Sequence, residues 1–455
     1  MKQIDFRHGK IGYNILMTAL PLLVAQVITL LYSIVDRIYI GRMGDYGTIA
    51  LGGIGICFPV ITIITGITNM FGMGGSPLFS MELGKGRPQN AEKIMNIAAF
   101  MLFWSAIIIT IAAEATAQPL LRLLGASDNN IIFALPYLRI YLIGTIFSMA
   151  ATGLNPYVNA QGFPGIGMFT VVIGAVLNIA LDPVFIFVFG MGVSGAALAT
   201  VISQAASAVF VVVFLIGKKS DQRLKLISFR EFIENRKIAG NICSLGLAVF
   251  IMQSTNSLVN IVNNKLLALF GGDIYISILT IVASVRQIME VPIHSIGEGT
   301  SPTISFNYGA LRPDHMSKAM RIMIISMIIY TAVSWAAVFI WPSFFISIFT
   351  SDQAFIEKAV PALHIYFFAF IFQALQTCGQ TVFKALNKKK HAIFFSIFRK
   401  VVIVVPTALL LTLVFNMGVN GVFIAEPVSN VIGGTACFVT MLLTVIPEIR
   451  RMRDN

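Results

Sequence analysis

The chain has 455 residues, of which 57% are hydrophobic and only 11% are charged. A soluble globular domain carries roughly 25% charged residues, so this composition excludes an ordinary soluble protein. The formal net charge is +12, and its distribution along the chain decides whether it indicates a nucleic-acid partner or a membrane topology.

Apolar runs long enough to cross a bilayer as helices follow one another along the whole chain. The predicted fold class is therefore an all-α polytopic membrane protein with twelve transmembrane helices. The first run is too long for a signal peptide and lacks a small-residue cleavage site, so we expect it to remain as an anchor. The predicted spans are 14–40, 49–78, 94–118, 131–153, 163–189, 193–217, 240–270, 276–307, 316–341, 356–382, 391–415 and 419–446.

Basic residues favour one side of the predicted membrane. Of the 32 lysines and arginines, 25 precede the first span, lie in every second loop or follow the last span. These 25 include Arg399 and Lys400, beside the turn between spans 10 and 11. By the positive-inside rule both termini are then cytoplasmic, which suits a multi-pass membrane protein with an even number of spans. We therefore expect the positive charge to orient the protein in a lipid bilayer, and we expect no nucleic acid as a partner.

One segment of the chain occurs as an internal repeat. Residues 72–95 and 297–320 match at ten of 24 positions without a gap. We predict an N-terminal six-helix lobe at 1–219, a cytoplasmic inter-lobe linker at 220–239 and a C-terminal six-helix lobe at 240–455. Each lobe has an even number of spans, so the repeats are parallel and related by a pseudo-two-fold axis along the membrane normal. A cavity between such lobes suits alternating access in a secondary transporter.

The glycines of the repeated segment do not indicate a nucleotide site. Gly72, Gly74 and Gly75 continue an apolar helix, and no GKS or GKT follows them. Small residues at this spacing let transmembrane helices pack closely. We therefore expect no ATP, no cofactor and an ion gradient as the energy source. The chain also lacks HExxH and GxSxG motifs, which argues against an enzyme.

Acidic residues within spans are costly, and each is a candidate functional residue. Asp36, Asp182 and Thr200 are predicted at a similar depth in the outer leaflet, and Asn178 shares a helix face with Asp182. Pro183 leaves a backbone carbonyl one turn earlier without its donor. These oxygens suit a hard cation such as Na⁺, and the two carboxylates could instead share one proton.

Two alternatives to functional acids stay open at this point. Asp36 could pair with Arg37 or Arg42 at the interface, with Asp182 satisfied by hydrogen bonds. Glu290 could form a buried pair with Arg286, one turn away.

The motifs resemble those of a known family. In order along the chain stand "ALPLLVAQ", "VDRIYIG", "GLNPYVNAQG", "LNIALDPVFIF" and "MGVSGAALATVISQ". With twelve spans in two similar halves, they are similar to the multidrug and toxic compound extrusion (MATE) transporters, above all the bacterial MepA-type branch.

The resemblance implies export of amphipathic, often cationic drugs in exchange for H⁺ or Na⁺, and a role in antibiotic resistance. It implies that Pro21 acts as a hinge in span 1. Carried onto this sequence, the cation-coupling residues are Asp36, Asn178, Asp182, Thr200 and Asn155, of which the first four would hold Na⁺ in a sodium-coupled protein.

The C-terminal half departs from this pattern. It has no matching carboxylate cluster, and Glu426 occupies the place of Thr200 in the repeat. Its acids could attract cationic substrates into the cavity. The substrate-binding candidates are Glu290, Glu298, Glu426, Gln253 and Asn256.

The alternative function from the same superfamily is a flippase for an anionic lipid-linked oligosaccharide. Such a protein would need several cations in its cavity, and only Arg139 and Arg286 are predicted well inside spans. We expect the exporter to work as a monomer.

Overall fold

The computed structural model describes residues 3–43 and 47–454, without the side chains of Thr48 and Asp273. Throughout these residues the chain is helical or forms short connections, with no β-strand. The first half contains α1 Ile11–Gly41, α2 Gly47–Gly84, α3 Pro88–Leu123, α4 Asp128–Ile143, α5 Thr145–Ala160, α6 Pro164–Pro183, α7 Gly192–Ile216 and α8 Phe229–Glu234. The second half contains α9 Arg236–Phe270, α10 Asp273–Gly309, α11 Pro313–Ile340, α12 Pro342–Ser347, α13 Gln353–Phe367, α14 Ile371–Ala385, α15 Lys389–Ile397, α16 Val405–Leu409, α17 Val419–Ser429 and α18 Thr435–Asp454. Short π-helical segments extend four of these helices at Val184–Val188, Phe398–Val404, Leu410–Val414 and Asn430–Gly434.

The predicted spans are confirmed. Among the described residues, ten helices are long and apolar enough to cross a membrane, and two bent helix pairs raise the number to as many as twelve. A lipid environment offers backbone groups no hydrogen-bond partner, so a helix, which pairs them internally, is the form such apolar runs take.

The two bends were not predicted. Helices α4 and α5 meet at 56° around Gly144, and α13 and α14 meet at 45° around residues 368–370. The two breaks are separated by the same interval as the repeated segment, so both halves carry the same interruption. At Gly144 the helix packs against Val201, where an added Cβ would collide.

The repeated glycines are close-packing positions, as expected. An added Cβ on Gly75 would collide with the Tyr157 hydroxyl, which donates a 2.9 Å hydrogen bond to the Phe71 carbonyl. On Gly299, the equivalent of Gly74, an added Cβ would come within 2.7 Å of the Ala19 backbone.

Contacts divide the chain into two compact units. The first comprises Met1–His8 and Leu20–Phe250, and the second comprises Gly9–Ala19 and Ile251–Asn455. The first turns of α1 therefore group with the second unit, and α9 contributes to both.

Residues 217–228, which we call the strap, join α7 to α8 and are fastened to the N-terminal unit. The side-chain oxygen of Gln161 accepts hydrogen bonds from the Ser220 hydroxyl (2.8 Å) and the Gln222 amide (3.3 Å), and its amide donates to the Gln222 carbonyl (3.2 Å). Asn96 accepts from the Lys225 backbone at 2.9 Å. The predicted linker therefore begins as an ordered segment.

We expect Gln161→Ala to release the strap. The variant loses all three Gln161 bonds to the strap, each contributing roughly 1 kcal/mol, so trypsin should cut after Lys219 or Arg223 at least about fivefold faster. Limited proteolysis in detergent measures the rate. Thr116→Ala, which removes one exposed hydroxyl bonded within its own helix, is the control. Equal cleavage rates in both variants would contradict the fastening role.

Candidate functional site

Four of the five predicted cation-coupling residues of the N-terminal unit lie close together. Asp36 lies in the last turns of α1, Asn178 and Asp182 in the last turns of α6, and Thr200 in α7. The Asn178 amide nitrogen donates to Asp182 Oδ1 at 3.3 Å and to Thr200 Oγ1 at 3.4 Å. The carboxyl groups of Asp36 and Asp182 are close enough to interact electrostatically.

Three oxygens of this group are buried without a hydrogen-bond partner in the described part of the chain: Asp36 Oδ1, Asn178 Oδ1 and Asp182 Oδ2. Asp182 is fully buried and Asn178 is 3% exposed. A buried oxygen without a donor is energetically costly unless a proton or cation supplies the missing interaction. The arrangement therefore suits the binding of H⁺ or of a hard cation.

The interfacial pairing of Asp36 is not what the structure shows. No ion pair is present at Asp36 among the described residues, and the Arg37 guanidinium lies over the Phe58 ring, 4.9 Å from its centre. The Asp36 carboxyl group is therefore not neutralised by an ion pair and faces the interior of the unit with its Oδ1 atom buried.

Two tyrosines beside this site were missed as site residues. Tyr137 and Tyr141 are one helical turn apart on α4, buried, and stacked with ring centres 6.4 Å apart. Tyr137 lies within electrostatic range of Asp36, and Tyr141 lies beside Gln204 of α7. Their four-residue spacing was the available signal, because it places both phenols on one helix face.

Asn155 is placed apart from the other four. Its amide donates to the Gly167 carbonyl at 2.9 Å, which ties α5 to the start of α6. The described residues show no hydrogen bond from Asn155 to Asp36, Asn178, Asp182 or Thr200.

The backbone changes form directly beside Asp182. After Pro183, Val184–Val188 adopt a π-helical turn, and the Phe189 amide donates to the Val184 carbonyl at 2.9 Å. Proline removes one helical hydrogen bond, which explains why the helix widens here. Such π-helical turns frequently occur at functional sites.

The C-terminal unit contains a buried charge cluster centred on Glu426, which is 2% exposed. Glu426 Oε1 lies 2.8 Å from Arg286, 3.3 Å from Arg399 and 3.1 Å from Lys400. Arg286 Nε also donates to Glu290 at 2.7 Å, which is the pairing left open by the sequence. We call these five residues the Glu426 cluster; its three cations and two carboxylates leave one net positive charge.

Amide side chains complete the Glu426 cluster. Gln373 Oε1 accepts from Arg286 at 3.2 Å and from Arg399 at 2.9 Å. Asn430 Oδ1 accepts from Arg399 at 2.6 Å. Two of the contributing segments are π-helical, at Phe398–Val404 and Asn430–Gly434.

The interpretation of Arg399 and Lys400 as loop charges is wrong. Arg399 is 9% exposed and Lys400 is half-buried, and both contact Glu426. Arg399 and Lys400 therefore join Arg286, which was expected inside a span, around Glu426. The signal was present, since both residues lie about two turns inside span 11 and therefore too deep for the loop.

The remaining substrate candidates also lie in the C-terminal unit. Glu298 is half-buried and within electrostatic range of His294 and Lys384. Gln253 is half-buried, with its Oε1 atom buried and unpartnered in the part of the chain described, and Asn256 is exposed. Pro21 lies within α1, which continues as one helix on both sides of it.

A polytopic helical protein with repeated halves and a buried carboxylate site in one of them is a membrane transporter by architecture. The model of the MatE family matches residues 21–184 and, a second time, residues 248–410. These segments cover well over half of the sequence, so the chain belongs to the MatE family, as its motifs predicted. The paired matches also agree with the duplication.

The relatives and solved structures are similar over nearly the whole chain. Multidrug export protein MepA of Staphylococcus aureus (strain MRSA252) is 25% identical over 399 residues, 88% of this chain and 87% of the relative. The protein of the same name in Staphylococcus saprophyticus is 25% identical over 403 residues, 88% of this chain and 87% of that one. A MATE structure in the straight conformation has a TM-score of 0.90 at 22% identity and full coverage of both chains. A MOP superfamily transporter from Pyrococcus furiosus has a TM-score of 0.90 at 21% identity, covering 100% of this chain and 99% of that one. At these identities the structures show a common fold.

Proposed function

We propose that this chain is a secondary active multidrug exporter that moves amphipathic, often cationic drugs out of the cell in exchange for inward H⁺ or Na⁺. The observation that carries the proposal is the set of three buried, unpartnered oxygens at Asp36, Asn178 and Asp182. The name Multidrug export protein, carried by both relatives above, supports the substrate class.

The four clustered residues have distinct roles in this proposal. In a proton-coupled cycle, Asp36 and Asp182 hold the proton between them, because two close carboxylates do not both stay charged in a buried site. In a sodium-coupled cycle, Asp36, Asn178, Asp182 and Thr200 offer the oxygen ligands that a hard cation requires. Either ion drives export only if it binds one conformation of the transporter more tightly than the other.

The C-terminal acids differ in how far a cationic substrate can reach them. The Glu426 side chain is 3% exposed and surrounded by three cations, whereas that of Glu290 keeps 22% of its surface exposed. Within the Glu426 cluster, Glu290 is therefore the better substrate contact. Glu298, Gln253 and Asn256 lie outside the cluster and complete the proposed substrate-binding set.

The charge distribution supports a cytoplasmic position for both termini and the strap. The staphylococcal source of the relatives supports a bacterial cytoplasmic membrane. A role for Pro21 as a hinge is supported by the division of α1 into separate contact units between Ala19 and Leu20, immediately before the proline. We propose a monomer that works without ATP.

The alternative function, a flippase, would use cations inside the spans, and Arg399 and Lys400 add two to those expected from the sequence. Both lie against Glu426, however, and Arg286 lies against Glu426 and Glu290. Cations already held by carboxylates make a poor site for a polyanionic head group, so the exporter remains the favoured function.

The test is ethidium export from proteoliposomes under one imposed gradient at a time. A Na⁺ gradient or a pH gradient should drive export without ATP, and the effective gradient identifies the coupling ion. If neither gradient moves ethidium or any other cationic dye, the exporter proposal fails.

A further inference from the structure

A cavity of about 560 Å³ lies in the N-terminal unit between α3, α5, α7 and the strap. Its lining is almost entirely apolar and includes Phe103, Trp104, Ala150, Leu154 and Val212. Strap residues Leu224–Ser228 and Phe229 of α8 close one side. The cavity belongs to neither the Asp36 site nor the Glu426 cluster.

Aromatic and exposed apolar side chains frame this cavity. Phe100 stacks on Phe232 with ring centres 4.8 Å apart, and Phe229 lies 4.9 Å from Trp104. Leu226 is fully exposed and Phe229 is 54% exposed. Large apolar side chains on a strap between helices are stable at a membrane surface where they meet acyl chains.

The strap also carries a positive charge, with four basic residues and one acid, Asp221, which accepts a 2.6 Å hydrogen bond from Gln3. Lys225 pairs with Glu92 at 2.6 Å. Lys218, Lys219 and Arg223 are exposed and have no carboxylate within ion-pair distance in the described chain. Arg223 directly precedes the cavity-lining residues Leu224 and Lys225, so free cations stand beside an apolar cavity.

We propose that this cavity binds an acyl chain of an anionic phospholipid whose head group lies on Lys219 and Arg223. The charge complementarity selects this occupant, because the same basic strap repels the cationic drugs assigned to the transporter. Basic pockets between transmembrane helices on the cytoplasmic side are known to suit anionic head groups. The inference rests on the proposed cytoplasmic position of the strap.

Tryptophan quenching tests the proposal in the full-length protein. Trp335→Phe and Trp341→Phe leave Trp104 as the single tryptophan of the three. The protein is placed in phosphatidylcholine vesicles in which about one tenth of the lipid is chain-brominated phosphatidylglycerol or, separately, chain-brominated phosphatidylcholine. Binding near Trp104 should favour phosphatidylglycerol by about fivefold for each basic residue that contacts the head group.

Matched variants separate this site from general surface charge. Lys219→Gln/Arg223→Gln should remove the preference, whereas Arg450→Gln/Arg451→Gln, which removes equal charge from the basic C-terminus, should keep it. Ala150→Phe should fill the cavity and lower quenching by the brominated phosphatidylglycerol. If Ala150→Phe does not fold, Ala99→Leu is used to fill the cavity instead. Equal quenching by both lipids overturns the proposal, as does a preference unchanged by the strap variant or lost equally in the C-terminal control. Export is not measured, so this result stands apart from the exporter test.

Discussion

Replacing Asp36 with asparagine is expected to abolish ion-driven export while leaving the protein folded and inserted. The substitution keeps the shape of the side chain but removes a charge whose Oδ1 atom is buried without a partner. Without that carboxylate, Asp182 has no second acid with which to hold a proton or Na⁺. Ethidium export from energised vesicles should fall by at least about tenfold, equivalent to roughly 1.4 kcal/mol of lost coupling.

The companion variants show whether the two carboxylates act as one unit. Asp182→Asn should be as inactive as Asp36→Asn, and the double variant should be no worse, since groups that act together give non-additive losses. Glu114→Gln is the matched control, because this acid of the same unit lies 3.7 Å from Arg139 and 29% of its side chain is exposed. Unchanged export in Asp36→Asn would refute the site assignment.

Glu426→Gln is expected to destabilise the protein more than Asp36→Asn, Asp182→Asn or Glu114→Gln does. It leaves the buried Arg286 and Arg399 and the half-buried Lys400 around a neutral amide. Removing one partner of a buried ion pair costs about 3–5 kcal/mol, because the remaining charge is uncompensated. The midpoint of thermal unfolding in detergent should fall accordingly.

A compensating change distinguishes charge imbalance from lost packing. Lys400→Gln added to Glu426→Gln returns the cluster to one net positive charge and should recover a substantial part of the lost stability. Glu357→Gln, an exposed acid in the same unit, should leave the midpoint unchanged. If the double variant were less stable than Glu426→Gln, repulsion among the cations would not be the cause.

The proximity of Asp36, Asp182 and Thr200 could be predicted from the sequence for a geometric reason. A bilayer of fixed thickness assigns a depth to each span residue, so Asp36, Asp182 and Thr200 could be placed at one level before their contacts were known. Helical spacing then added Asn178 to the face of Asp182. Tyr137 and Tyr141 were missed because a tyrosine within a span has no depth cost that distinguishes it from packing.

The Glu426 cluster could not be assembled in this way. Glu426 and Arg399 are 27 residues apart, and Arg286 lies on a third helix. A charge two turns inside a span can reach back to the interface or turn towards a buried partner, and sequence alone does not separate these outcomes. For the same reason, the sequence could not decide whether Glu290 contacts substrate or forms an ion pair with Arg286.

The sequence by itself determined the class of protein, the order of its spans, the duplication and the proximity of Asp36, Asn178, Asp182 and Thr200. Those features follow from constraints that act locally or through the bilayer: apolar length, charge between spans and helical spacing. Tertiary structure alone decided the breaks at Gly144 and residues 368–370, the fastening of the strap by Gln161, and the neutralisation of Glu426 by three cations. Each of these depends on which helix faces lie against one another, and side-chain packing between distant segments of the chain sets that arrangement.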